Sequence, residues 1–262
     1  MSSRHDLVAL AANVAGVLVW GLSPSASGAP VPIDLSPWTV VQYEFNSQPN
    51  ASWVLSNSDT TASQVVNADA SILLSDFDAA GQQIAGSWRV DTSGDDDFMG
   101  FVFGYQNRGQ YYLFDWKQLD QDWPGLAQRG MSVKVVNTGG TDPGPLDLGL
   151  TAGTTNVSVI RHNTIPWADF TDYQFILNFS AGLFEITVKQ GANVLEHWVI
   201  ADNTYASGNF GFYNYSQGNV IYNGFTQDVD PPPIDVTVPE PGTLALLGLG
   251  LAGLAASRRR KQ

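Results

Sequence analysis

Residues Gly94 to Gln118 read GDDDFMGFVFGYQNRGQYYLFDWKQ, and the last third of this stretch decides the fold. From Tyr111 to Lys117, the residues Tyr112, Phe114 and Trp116 fall on one face of an extended chain. Tyr111, Leu113, Asp115 and Lys117 fall on the other, a period of two that belongs to a β-strand. Leu183 to Lys189 alternates likewise, with Phe184, Ile186 and Val188 opposing Glu185, Thr187 and Lys189. The Gly191-Ala192 turn that follows leads into Val194 to Ile200 and predicts a hairpin. Further strands are expected at Ile72–Leu74, Ile84–Val90, Phe98–Tyr105, Ser132–Val136, Val157–Arg161, Tyr173–Phe179, Phe210–Tyr215 and Val220–Phe225. No long amphipathic helix competes with them. Many short strands between Gly-, Asp- and Asn-rich turns predict two packed antiparallel sheets.

Outside this pattern the two ends differ in kind. At the N-terminus, Arg4 precedes a mostly apolar run from Leu7 to Leu22, followed by small, breaker-rich residues from Ser23 to Ala29. This is the layout of a removable secretory signal, with a cut near Ser27 and residues 1–29 as the leader. At the C-terminus, Pro239, Glu240 and Pro241 are followed by an apolar run from Thr243 to Ser257 and then by Arg258, Arg259, Arg260 and Lys261. As a helix this run would span about 22 Å, short of the roughly 30 Å hydrocarbon core, so it predicts a marginal membrane helix. The four cations act as a stop-transfer signal that keeps the C-terminus cytoplasmic and places everything before Pro239 across the membrane. Asp230 to Val238, DPPPIDVTV, is a stiff extended spacer. The order Pro-Glu-Pro, apolar run, basic end resembles the PEP-CTERM sorting signal, which implies processing by a membrane-embedded exosortase near Pro239, Glu240 and Pro241.

Between these ends lie about 200 residues, enough for one single-core domain over residues 30–229. From Pro30 to Pro239 the chain carries 23 acidic and 7 basic residues, a net charge of −16. Nucleic acid is therefore a poor partner, whereas divalent cations and neutral or cation-bridged polymers suit such a surface. Cysteine is absent, so there is no disulfide framework, no thiolate metal site and no thiol nucleophile. Four Asn-X-Ser sequons occur, at Asn50, Asn156, Asn178 and Asn214, and are most simply chance if the chain is bacterial, as the resemblance of its tail to the PEP-CTERM signal implies.

The clearest chemistry lies in Asp95-Asp96-Asp97, between two expected strands. Three adjacent carboxylates repel one another, and a hard cation with several oxygen ligands relieves the repulsion. In an extended segment Asp95 and Asp97 project to one side and Asp96 to the other, so Ca²⁺ could take two of them directly. A solvated acidic turn is the other reading. Asp120 and Asp122 are weaker candidates. Enzymatic residues are few: only Glu44, Glu185 and Glu196 are glutamates within the domain. If Gly191-Ala192 is a two-residue turn, Glu185 pairs with Trp198 and Glu196 with Thr187, leaving the glutamates as same-face diagonal neighbours roughly 7–8 Å apart. That spacing would suit an inverting glycosidase, although diagonal pairs on a polar sheet face are usually just solvated. His162 and His197 have no i+4 partner for zinc. Trp123 and Trp167 could stack on sugars or pack onto the sandwich edge.

Gly94 to Gln118 resembles the C-terminal lectin-like β-sandwich of thrombospondins. So do GNFGFYNYSQGNVIYNGF, Gly208 to Phe225, in the closing strands, and NASWVLSNSDTTASQVVNADASILL, Asn50 to Leu74, in the opening ones. The resemblance runs from Trp38 to Gln227. It implies an all-β, two-sheet antiparallel jelly-roll sandwich of the concanavalin A or legume-lectin type, flanked here by a signal helix and a membrane helix. It also implies calcium at Asp95, Asp96 and Asp97, and contacts in extracellular matrix. Two departures restrict the transfer. The family's cysteine in the penultimate strand falls at Asn214, and its receptor-binding tripeptide falls at Leu113, Phe114 and Asp115, whose last residue is charged where the family has an apolar one. The expected protein is thus an exported, non-enzymatic structural or adhesive component of the cell envelope or exopolysaccharide matrix. Its partners would be an exosortase, extracellular polysaccharide or matrix proteins, and the membrane through its tail. A lectin or a weak glycoside hydrolase on the same sandwich is the alternative.

The shift from polar spacer to apolar-then-basic tail at Pro239 carries the first prediction. Glu240→Ala should leave the protein in the membrane fraction with its tail attached, as read by fractionation and intact mass. Secretion of wild-type protein with residues 239–262 still present would contradict tail processing.

Overall fold

The computed structural model describes residues 31–122 and 125–228. The expected signal helix and tail helix lie outside these residues, as does Trp123. In chain order the elements are β1 (Val31–Pro32), β2 (Thr39–Gln42), β3 (Trp53–Ser56), β4 (Thr61–Gln64), β5 (Ser71–Asp78), β6 (Gln82–Val90), β7 (Phe98–Asn107), β8 (Gln110–Lys117) and β9 (Gln121–Asp122). There follow β10 (Leu126–Ala127), β11 (Gly130–Asn137), a five-residue helix α1 (Pro145–Gly149), β12 (Val157–His162) and β13 (Tyr173–Ser180). The last are β14 (Leu183–Gln190), β15 (Asn193–Ile200), β16 (Asn209–Tyr215) and β17 (Val220–Asp228).

The strands form two sheets. One has the order β15-β14-β13-β6-β17-β4-β3, with β1 added against β17. The other has the order β12-β11-β8-β7-β16-β5-β2, and β9 with β10 makes a small separate hairpin. The pairings are antiparallel, including the central β7–β8 and β6–β13 pairs. This is the all-β two-sheet sandwich that the alternation predicts, and each strand expected from sequence is present.

The space between the sheets is filled by aromatic rings. Tyr112, Phe114 and Trp116 point into it, as their alternation requires, and meet Trp88 and Phe175 from the opposite sheet. Trp88 stacks on Phe175 at 4.8 Å within one sheet and Phe101 on Phe114 at 4.8 Å within the other, and Phe101 meets Phe175 at 5.0 Å and Trp88 meets Phe114 at 5.9 Å, so the rings interlock across the inter-sheet space. Gly100 is required where β7 meets β8, because a Cβ there would lie 2.0 Å from the Phe114 carbonyl oxygen.

β8 departs from a half-exposed strand in one respect. Its second face is buried as well, with Tyr111 and Leu113 at 0 % and Asp115 and Lys117 at 1 % exposure. A second apolar cluster covers that outer face, drawing in Tyr43, Phe98, Ala127, Leu148, Tyr213 and Tyr215. The chain around Tyr43, the β9–β10 hairpin and α1 thus close over the seven-stranded sheet. Leu113, Phe114 and Asp115 are all buried, so the position of the animal receptor tripeptide is not a surface here.

The β14–β15 hairpin corrects one expectation. Gln190 pairs with Asn193 around Gly191-Ala192, as a two-residue turn requires. A bulge then leaves Leu195 unpaired, because Lys189 faces Val194 while Val188 faces Glu196. One extra residue reverses the parity of the rest of the strand. Glu185 consequently pairs with Val199, and Thr187 with His197. Glu196 shares the inward side of Val188, so the two glutamates do not form a diagonal pair.

Trp116 is fully buried, packs edge-on against Tyr173 at 4.6 Å and donates its indole N–H to the Ile165 carbonyl at 2.7 Å. Trp116→Ala should cost about 3–5 kcal/mol in urea unfolding through lost burial and the resulting cavity. A loss below about 1 kcal/mol would mean that the core collapses onto the gap, against close packing as the source of stability.

Candidate functional site

The acidic triplet occupies the loop between β6 and β7. Gly94 adopts φ 86°, a left-handed conformation natural to glycine, and turns the chain sharply just before the carboxylates. The side chains therefore do not alternate as in a strand. Asp96 and Asp97 converge on the Lys117 ammonium, with Oδ1 atoms at 3.0 and 2.6 Å from Nζ. Asp95 turns away and accepts from Asn67 Nδ2 at 3.0 Å and from the Gly218 amide at 3.2 Å. The expected grouping of Asp95 with Asp97, opposite Asp96, is replaced by a grouping of Asp96 with Asp97.

Lys117 explains the change. The alternation of β8 sends this side chain to the outer face, beneath the second core, where an unpaired ammonium would be costly. Besides the two carboxylates, Nζ donates to Gln121 Oε1 at 3.1 Å and to the Asp96 carbonyl at 3.2 Å. It also lies 5.0 Å from the centre of the Phe98 ring, a cation–π distance. Lys134 approaches the same ring at 5.6 Å while pairing with buried Asp115 at 2.6 Å. Burial pushes the Asp115 carboxyl up, with the neighbouring Lys134 working in the opposite direction.

Burial also raises the Asp95 pKa, reinforced by the like charges of Asp97 and Asp96 and opposed by the Gly218 amide. Asp96 and Asp97 each keep one carboxylate oxygen without a hydrogen bond among the described residues. The loop thus presents three negative charges against one internal positive charge. Among the described residues, no group of three His, Cys, Asp or Glu side chains converges into a preformed metal cage. Asp120 and Asp122 serve local turns, accepting from the Arg129 amide at 2.7 Å and the Gly125 amide at 3.2 Å.

Beside the loop lies a cavity of about 280 Å³. Its floor is the parallel pair Phe98 and Tyr215, with ring centres 5.9 Å apart and planes within 9°. Gln48 and Ser216 form one wall, Gln121 and Asp97 another, and Gly149 with Leu150 closes it at the end of α1. Sequence reading missed this site. Its residues come from segments far apart in the chain, and only the second core brings them together.

The other expected candidates resolve differently. Glu185 accepts from Asn178 Nδ2 at 3.0 Å and contacts His197 Nε2 at 3.1 Å, while Thr187 Oγ1 meets His197 Nδ1 at 3.0 Å. Glu196 instead accepts from Asn163 at 2.7 Å. The two glutamates do not converge on a cleft. Trp167 is 1 % exposed, and its N–H donates towards the carbonyls of Trp116 and Asp97, so it braces the acidic loop and offers no stacking face.

Comparison with known proteins gives two family matches. Residues 48–229 match the thrombospondin C-terminal region, and residues 237–261 match the PEP-CTERM protein-sorting motif. The second match makes this an exported chain of the exosortase-sorted kind, anchored transiently in the membrane before reaching the envelope or exterior. Thrombospondin-1 of Xenopus laevis is 31 % identical over 194 residues, covering 68 % of this chain and 16 % of the relative. Thrombospondin-2 of Homo sapiens is 32 % identical over 192 residues, with the same coverage. The chain therefore spans about a sixth of the length of these relatives. Among solved structures, a carbohydrate-binding module, CBM66, from Bacillus subtilis superposes with a TM-score of 0.50 at 12 % identity, covering 73 % of this chain and 94 % of the module.

Because Lys117 is the cation to which Asp96 and Asp97 are tied, its loss should be felt in stability. Lys117→Met should destabilise the fold by about 3 kcal/mol, the lower end for breaking a buried pair, since Asp96 keeps partial access to water. Adding Asp97→Asn should recover part of the loss in the same denaturant assay. If Lys117→Met unfolds at the wild-type midpoint, the ammonium does not hold the loop.

Proposed function

The chain belongs to the thrombospondin C-terminal region family, and from that membership we propose an exported, non-enzymatic binding module of the cell envelope or exopolysaccharide matrix, with calcium as its cation. In this proposal residues 1–29 are a removable leader, 30–229 a jelly-roll sandwich of the legume-lectin type, 230–238 a spacer and 239–262 the sorting tail. The partners are an exosortase, which would act near Pro239, Glu240 and Pro241, and extracellular polysaccharide or matrix proteins. The observation that carries the reading is the pairing of an export signal with a binding-type sandwich whose glutamates do not converge. A hydrolase needs two facing carboxyl groups across a cleft, and Glu185 and Glu196 do not supply them. The lectin reading is favoured over the hydrolase by the cavity beside the acidic loop, whose lining includes one carboxylate, Asp97, and not a facing pair. A carbohydrate-binding module of similar fold is consistent with it.

Asp95, Asp96 and Asp97 would hold the calcium ion. The supporting observation is charge: three carboxylates against Lys117 leave a residual of about two negative charges, which one divalent cation would offset. Carboxylate oxygens of the triplet are the hard donors that calcium prefers, with carbonyl oxygens and water completing the shell. Bound there, the ion would tie the β6–β7 loop to the β16–β17 connection, because Asp95 already meets Gly218.

Calcium that binds only the folded loop should stabilise it by RT ln(1 + [L]/Kd), about 2.7 kcal/mol at a hundredfold excess over Kd. Chelation should therefore lower the melting temperature, and Asp95→Asn with Asp97→Asn should remove that sensitivity while leaving a folded sandwich. Equal melting in chelator and in millimolar Ca²⁺, with no heat of binding by calorimetry, would remove calcium from the proposal. Binding of the purified protein to the host's own polysaccharide, measured with and without Ca²⁺, tests the module itself.

A further inference from the structure

We propose that the cavity over Phe98 and Tyr215 is a binding site for one neutral, hydroxyl-rich ring, the terminal or branch sugar residue of a neutral polysaccharide. The inference deepens the matrix-binding reading and rests on it for the source of the ligand. Size is the first argument. At about 280 Å³ the cavity lies at the small end of ligand pockets, which run from roughly 300 to 1,000 Å³, so it takes one ring and not a length of chain.

Polarity is the second. Phe98 and Tyr215 present an apolar floor, and Leu150 adds an apolar wall, which suits the C–H face of a sugar ring. The polar wall is short of partners. Gln48 donates its amide to Ser216 Oγ at 2.8 Å, but its own carbonyl oxygen is buried without a hydrogen bond. The Tyr215 hydroxyl has no hydrogen-bond partner among the described residues, and Asp97 keeps one oxygen free. Two of these groups only accept and the tyrosine hydroxyl both donates and accepts, so the hydroxyls of a polyol could serve all three at once, whereas a purely accepting ligand could not.

Charge is the third. Asp97 lines the cavity, and its own counter-ion, Lys117, is buried behind it. An anionic sugar would meet that carboxylate, and a cationic one would compete with an ammonium already seated. A neutral ring meets neither penalty. Two further observations point to a built cavity. Ser216, on its wall, is held at φ 55°, a left-handed conformation that non-glycine residues adopt at a cost and that clusters at binding sites. Gly149 is buried, yet a Cβ added to it would meet nothing within 4 Å, so it fronts open space inside the fold.

The test uses the full chain purified in a zwitterionic, sugar-free detergent. Methyl glycosides of glucose, galactose and mannose are titrated by saturation-transfer NMR and calorimetry, with glucuronic acid as the anionic control. At least one neutral glycoside should bind, and glucuronic acid should bind at least tenfold more weakly. Tyr215→Phe should weaken binding roughly two- to tenfold through loss of one hydrogen bond. Gly149→Leu, whose Cβ would meet nothing within 4 Å and whose remaining carbons would enter the space a ring needs, should abolish it while the melting temperature stays within a few degrees. No binding of any neutral glycoside, or unchanged binding by Gly149→Leu, would overturn the proposal. Host polysaccharide is run in parallel. Polymer binding that survives Gly149→Leu sinks the cavity alone, whereas absence of wild-type binding to the polymer sinks the matrix-binding reading itself.

Discussion

The organisation of this protein depends on one constraint, that β8 is buried on both faces. A strand inside a sandwich ordinarily offers one face to the core and one to water, and its sequence alternates to match. Here the outward residues include two charges, Asp115 and Lys117, at 1 % exposure each. A charge taken out of water must be paired, and the surrounding chain is arranged to pair them. Lys134, two strand positions along the neighbouring β11, serves Asp115, and the β6–β7 loop delivers Asp96 and Asp97 to Lys117. The cover that buries these charges also walls off the cavity. Acidic loop, internal cation and cavity are thus consequences of closing one sheet on its outer side.

The chain does this without a disulfide. At Asn214, the position to which the thrombospondin resemblance assigns a cysteine, the side-chain Oδ1 accepts from Gln64 Nε2 at 3.1 Å. Gln64 lies on β4 of one sheet and Asn214 on β16 of the other, so this hydrogen bond crosses the sandwich. Both residues are buried, at 0 and 1 % exposure. A hydrogen bond constrains the unfolded chain far less than a covalent bridge, and stability falls back on the aromatic interlock between the sheets. Tyr222, whose hydroxyl donates to the Tyr213 carbonyl at 2.8 Å, stitches the same two sheets a little further along.

How much of this was legible in the sequence follows from the range of each signal. Period-two alternation is local, and it placed Tyr112, Phe114 and Trp116 in the core correctly. The bulge at Leu195 was invisible, because the extra residue leaves no mark on composition while reversing the parity of every residue after it. Asp95, Asp96 and Asp97 were recognisable as a charged cluster, but the partner of Asp96 and Asp97 lies about 20 residues away on β8, and alternation alone placed Lys117 on a strand face without linking it to the triplet. The cavity was out of reach altogether, since Gln48, Phe98, Gly149 and Tyr215 share no spacing that a one-dimensional reading could use.

Asp97 stands at the meeting point of these features. One oxygen holds Lys117, its backbone amide is held by Gln217 at 3.0 Å, and its side chain lines the cavity. A cation at the triplet and a ring in the cavity would therefore share a carboxylate. Two ligands that share a group are coupled, and the coupling is reciprocal: whatever calcium does to affinity for the ring, the ring does by the same factor to affinity for calcium. The sign follows from what the cation does to Asp97. Drawing its free oxygen towards the metal removes an acceptor from the cavity and opposes the ring, whereas binding through Asp95 and Asp96 alone stiffens the loop and leaves that acceptor in place. The proposed cation site draws on all three carboxylates, so the first arrangement applies: the cation would take the Asp97 oxygen that Lys117 leaves free, and calcium and the ring would weaken each other's binding.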